Sequence, residues 1–137
     1  MRAGIDHKTA LIYTMVLVSA ADAEMTDREL RAMGELVRTL PVFHDYDPEQ
    51  LTKTTAECAK RLGEPDALEN ILAEIKEALP PKLRETAYVV ACEVAAADLT
   101  PHLEALRLLK MLRDTLGLDR LTTVAIERAT RARHARI

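Results

Sequence analysis

LIYTMVLVSAADAEMTDRE, residues Leu11 to Glu29, decides the fold. It opens as a run of apolar side chains with no period-two alternation. It then passes through small residues into Asp22, Glu24, Asp27 and Glu29, offset only by Arg28. Leu11, Ile12, Met15, Val16, Leu17 and Val18 cover nearly all sides of a helix. A helix apolar all round belongs at the centre of a bundle. Thr26 and Glu29 form an S/T-x-x-E capping box, in which each side chain satisfies an orphan backbone N–H, so a second helix restarts there.

Outward from this stretch the chain reads as helices separated by punctuation. Helix one is expected from about Lys8 to Asp22. Helix two starts at Thr26 and carries Leu30, Met33, Leu36, Val37 and Leu40 until Pro41 stops it. Asp47, Pro48 and Gln50 open helix three, which Gly63 closes. Pro65 opens helix four, with Leu68, Ile71, Leu72, Ile75 and Leu79 on its inner face. Pro80-Pro81 starts helix five, a second central helix running to about Asp98. Thr100 and Pro101 open helix six, which ends at Gly117, and Asp119 opens helix seven. The expectation is an all-α, seven-helix bundle forming one domain over residues 1–137.

Composition agrees. Of 137 residues, 48% are hydrophobic, enough for a core without disulfides. One Phe, three Tyr and no Trp leave that core to aliphatic side chains. Four Gly and six Pro leave few hairpin turns. A net charge of −3 with mixed signs argues against a nucleic-acid binder, which would carry a basic face. Cys58 and Cys92 lack any metal or CxxC spacing and read as reduced core residues of a cytoplasmic protein. The apolar run Ala10 to Ala21 is shorter than the roughly 20 residues a spanning helix needs, so no membrane-spanning segment is expected. No catalytic motif is present: no GxSxG, no P-loop, no HExxH. His44 in the His44-Asp45-Tyr46-Asp47 loop reads as an exposed side chain rather than a base, and Asp47 as a cap.

A second corner echoes the first. Ala20-Ala21-Asp22 matches Ala96-Ala97-Asp98 at an offset of 76, and after a one-residue deletion Glu29 matches Glu104 and Arg38 matches Arg113 at 75. The bundle is therefore expected to carry an internal two-fold pseudo-repeat. Asp27 and Glu29 are explained by the helix macrodipole, which favours acids in a first turn. Asp22 and Asp98 stand at the opposite ends of their helices, where carbonyls already concentrate negative charge, and Glu24 adds to the first corner. Two readings compete. One is a hard cation held by carboxylates and helix-end carbonyls, Ca²⁺ before Mg²⁺. The other is a local turn in which the Asp accepts from backbone N–H groups. The EF-hand pattern is missing, and neither corner offers Cys for zinc.

The run Ala20-Ala21-Asp22-Ala23-Glu24-Met25-Thr26-Asp27-Arg28-Glu29, with an Asp followed by a Glu seven positions later, resembles the signature of the TerB-like tellurite-resistance family. Ala96-Ala97-Asp98 and Glu104 match its second copy. Two departures stand out: Ala23 replaces the usual Gly, and the second copy is one residue short with Pro101 inside it. The resemblance implies a seven-helix, cytoplasmic, non-enzymatic stress-response module. It further implies protein partners, some membrane-associated, and metal binding through acidic residues, with no organic cofactor. The candidate ligands are Asp22, Glu24, Asp27, Glu29, Asp98 and Glu104. The alternative is a metal-free adaptor that docks a partner helix or a membrane-associated complex.

Two smaller expectations complete the reading. Glu93, inside apolar helix five, lies on a narrow wet stripe or pairs with an Arg. The basic end, Arg128 to Arg136, complements the last helix turn, with a weak contact to anionic lipid or an acidic partner as the alternative.

Overall fold

A computed structural model describes residues 4–21, 25–98 and 103–137. Seven α-helices follow in order: α1 (His7–Ser19), α2 (Asp27–Thr39), α3 (Leu51–Arg61), α4 (Ala67–Ala78), α5 (Pro81–Ala95), α6 (Leu103–Leu116) and α7 (Arg120–Arg133). Short 3₁₀ turns at Pro41–Phe43 and Pro48–Gln50 join α2 to α3. No strand occurs among the described residues. The fold is the all-α, seven-helix bundle that the periodicity predicts.

Helix α1 is the axis. Every residue from Ala10 to Ser19 is buried, so it has no wet face. Its tightest partner is α5, buried from Ala87 to Ala95 except for Val89. Around this pair α3, α4 and α6 pack on α1, while α2, α6 and α7 pack on α5. The buried side chains form one cluster, with Leu11, Ile12, Met15, Ile71, Ile75, Tyr88 and Leu112 among the fully enclosed ones. Each central helix also carries a tyrosine beneath an arginine. Arg61 lies 5.7 Å from the Tyr13 ring centroid and Arg113 lies 5.9 Å from that of Tyr88. Arg61 forks onto both Glu74 carboxylate oxygens, tying α3 to α4. Arg113 reaches Tyr88 Oη at 2.7 Å and Glu127 at 3.2 Å, tying α6 to α5 and α7.

Helix starts follow the caps. The Asp6 side chain accepts from Thr9 N at 2.8 Å and opens α1 one residue earlier than expected. Thr26 and Glu29 form the reciprocal capping box in full. The Asp119 side chain accepts from Thr122 N at 2.7 Å. Four further boundaries differ from the sequence reading. Helix α1 ends at Ser19 and α5 at Ala95, with Ala20 and Ala96 as their caps, so neither helix reaches its acidic residue. Helix three begins as the 3₁₀ turn Pro48–Gln50, where Asp47 accepts from Glu49 N, and becomes α-helical only at Leu51. Helix α4 begins at Ala67, not Pro65, because Asp66 adopts a left-handed conformation, φ 56°, that breaks the helical path. Thr100 and Pro101 lie outside the described residues.

Candidate functional site at the acidic corners

The first corner is built by the start of α2. The Thr26 hydroxyl accepts from Glu29 N at 3.1 Å, and the Glu29 carboxylate accepts from Thr26 N at 2.9 Å. Glu29 is buried at 4% exposure, so its capping role holds a carboxylate inside the bundle rather than on its surface. The same hydroxyl donates across the fold to Asp98 Oδ1 at 3.2 Å, over 72 residues of sequence. Thr26 therefore joins two carboxylates, one from each corner. This partner for Asp98 belongs to neither of the two sequence readings, the cation or the local turn.

Asp98 sits in a bend three residues past the end of α5, half-buried. The expectation that it lies in the last helical turn is corrected. Packing of α2 on α5 brings Thr26 to it. Glu104, the other acid of the second copy, lies in the first turn of α6, is exposed, and pairs with Arg107 at 3.3 Å. It lines a cavity of about 260 Å³ whose other walls include Leu17, Ala20, Ala21 and Met111. Glu104 thus faces the small residues leading into the first corner, while Asp98 meets the helix leading out of it. Asp27 is exposed in the first turn of α2, consistent with the macrodipole explanation. Asp22 and Glu24 lie outside the described residues.

The donor chemistry is carboxylate and hydroxyl oxygen, the set a hard cation takes. Among the described residues alone, no group of three or more His, Cys, Asp or Glu is placed to hold a metal.

Away from the corner, other polar groups have structural partners. Glu93, 7% exposed on α5, receives Arg133 Nη2 at 3.0 Å and faces His134 Nε2 at 3.5 Å, so the pairing with an Arg is the reading the structure bears out. The basic end thereby gains a role that its charge pattern alone does not show: Arg133 and the His134 ring cover a buried acid. His44 is exposed as expected, 3.9 Å from Asp45. Cys58 and Cys92 are free and buried, and burial pushes both thiols up to about 12, which keeps them protonated and unreactive. No helix among the described residues is long and apolar enough to cross a membrane.

No curated protein and no solved structure matches this chain. The model of one protein family, described as tellurite resistance protein TerB, matches residues 8–128, from the first turn of α1 well into α7. That span takes in both acidic corners and every helix that builds them, and the chain belongs to the TerB tellurite-resistance family.

Proposed function

We propose that this protein is a non-enzymatic, cytoplasmic stress-response module of the tellurite-resistance type that binds one divalent cation at its joined acidic corners, Ca²⁺ in preference to Mg²⁺. The observation that carries the reading is that Thr26 donates to both carboxylates, its backbone N–H to Glu29 and its hydroxyl to Asp98. Two carboxylates gathered on one residue repel each other, and a cation held with them would offset that repulsion. On this reading Asp22, Glu24, Asp27 and Glu104 are the further candidate oxygen ligands. A cation bound there would stiffen the junction of α2 and α5 and present that junction to a protein partner, including one held at a membrane.

The metal-free adaptor is the second reading, and one observation favours it: Glu29 and Asp98 already accept hydrogen bonds within the chain. Thermal unfolding with Ca²⁺, Mg²⁺ and Zn²⁺ at constant ionic strength separates the two. A ligand that binds only the native state adds about 2.7 kcal/mol at a hundred times its dissociation constant. A rise in midpoint with Ca²⁺ that Asp22→Asn abolishes supports the cation site. An unmoved midpoint, with Asp22→Asn itself destabilising, leaves the adaptor.

A further inference from the structure

Helices α5, α6 and α7 also flank a groove, whose outer mouth reaches Asp98 of the acidic corner. Its floor is apolar: Tyr88, Cys92, Ala95, Leu106 and Leu109 line a cavity of about 320 Å³. That volume falls in the range of small-molecule sites, which are mostly apolar with a few placed polar groups. Leu106 remains 48% exposed at the rim, and Leu103, one turn before it on α6, is 68% exposed. A second cavity of about 540 Å³ continues from the first, sharing Ala96, Thr130 and Arg131, and opens past His134 and Arg136.

The charges at the two ends differ. At the inner end Arg113 is committed to Tyr88 and Glu127, so Glu127 is neutralised. At the outer end the acid is Asp98, which accepts from Thr26, and His134 faces Glu93. Arg131 and Arg136 are exposed and make no ion pair among the described residues. The groove is therefore an apolar trough with two cations at one mouth that make no ion pair among the described residues.

We infer that this groove binds a single-chain anionic amphiphile, a fatty carboxylate whose chain lies over Cys92, Ala95 and Leu109 and whose carboxylate meets Arg131 and Arg136 at the mouth. Charge complementarity selects this occupant. A neutral or cationic chain would bury the same apolar area and leave the guanidinium groups unanswered, whereas guanidinium–carboxylate pairs are charge-assisted and directional.

The test is an amide-resolved NMR titration of the full chain with monomeric dodecanoate, below its micelle threshold. Dodecyltrimethylammonium serves as the control of equal chain length and opposite charge. Saturable shifts are expected at Ala95, Ala96, Leu106, Leu109, Thr130 and Arg131, with the cationic chain giving none. Arg131→Gln should weaken binding about threefold to tenfold. Ala96→Leu, which fills the junction of the two cavities, should abolish it. A thermal midpoint for each variant checks that the bundle is intact, and Arg131→Gln alone suffices if Ala96→Leu unfolds it. Equal shifts with the cationic chain, shifts confined to other faces, or binding to anionic vesicles without binding to monomeric dodecanoate would overturn the proposal. The last result would point instead to a membrane surface.

Discussion

The Thr26 hydroxyl donates to the Asp98 carboxylate at 3.2 Å, joining the start of α2 to the bend after α5. One side chain therefore serves twice, as the cap of α2 and as the link between acidic corners far apart in sequence. The two roles can be separated. Thr26→Ser keeps both hydrogen bonds and is expected to be nearly neutral. Thr26→Ala removes both, and loss of a cap alone costs about 0.5–2 kcal/mol. In a double-mutant cycle with Asp98→Ala, denaturant unfolding should return a coupling energy of about 0.5–1.5 kcal/mol. Strict additivity would mean that the contact contributes nothing.

The buried carboxylate of Glu93 depends on Arg133, whose Nε and Nη2 both reach Oε1, at 3.2 and 3.0 Å. Arg133→Ala leaves that acid to His134 alone. Because the arginine is itself largely exposed, the cost is expected to be about 1–2 kcal/mol, the lower part of the range for a hydrogen bond to a charged group. Glu93→Gln in the same background should recover part of it, since an amide costs less to bury than an unpaired charge. Urea midpoints of the single and double variants check both statements. No recovery would show that Glu93 is solvated without Arg133.

Acid should loosen α1 and α7 first. Burial raises the Asp6 carboxyl, but the Thr9 N–H bond and nearby positive charge outweigh it, leaving the group below its ordinary 3.8. The Thr122 N–H holds Asp119 down in the same way. A carboxyl depressed in the folded state contributes stability that is present above its unfolded value. That contribution is lost as pH falls through the folded one. Helix content near the two caps should therefore fall below about pH 4. Asp6→Asn retains a capping side chain but cannot titrate, so it should remove the Asp6 share of the acid sensitivity. Hydrogen exchange at Thr9 and Ala10 against pH reads it directly, and an unchanged pH profile in Asp6→Asn would refute this assignment.

Ser19 closes α1 fully buried, and its hydroxyl has no hydrogen-bond partner among the described residues. An unpaired buried hydroxyl costs free energy that a methyl does not. Ser19→Ala is expected to be neutral or to stabilise by up to about 1 kcal/mol. A loss of more than that would mean the hydroxyl is bonded in solution.

Much of this structure was legible in the residues. Helix α1 announced itself because its side chains are apolar on every face, and α2 because Thr26 and Glu29 occupy the two box positions. Boundaries were less legible where backbone geometry decides them. The left-handed Asp66 leaves no mark in the sequence beyond a residue type that tolerates it. The ends of α1 and α5 depend on where packing lets the last turn tighten, so apolar periodicity overran them. Glu93 was expected to find an arginine because a buried charge needs one, but Arg133 became its partner only through the packing of α7 on α5. The bond between Thr26 and Asp98 had no local signal at all. The duplicated acids indicated two similar corners, and only the packing of α2 against α5 brings Thr26 to Asp98.

A calcium titration of Asp98→Ala, followed by thermal unfolding beside the wild type and Asp22→Asn, tests the joined corner most directly. Asp98 lies 76 residues beyond Asp22, in the other copy of the motif. If the corners form one cation site, Ca²⁺ raises the wild-type midpoint and both variants lose the rise together. A calcium response that survives Asp98→Ala while Asp22→Asn removes it would contradict the account, because the first corner would then bind its ion without the second.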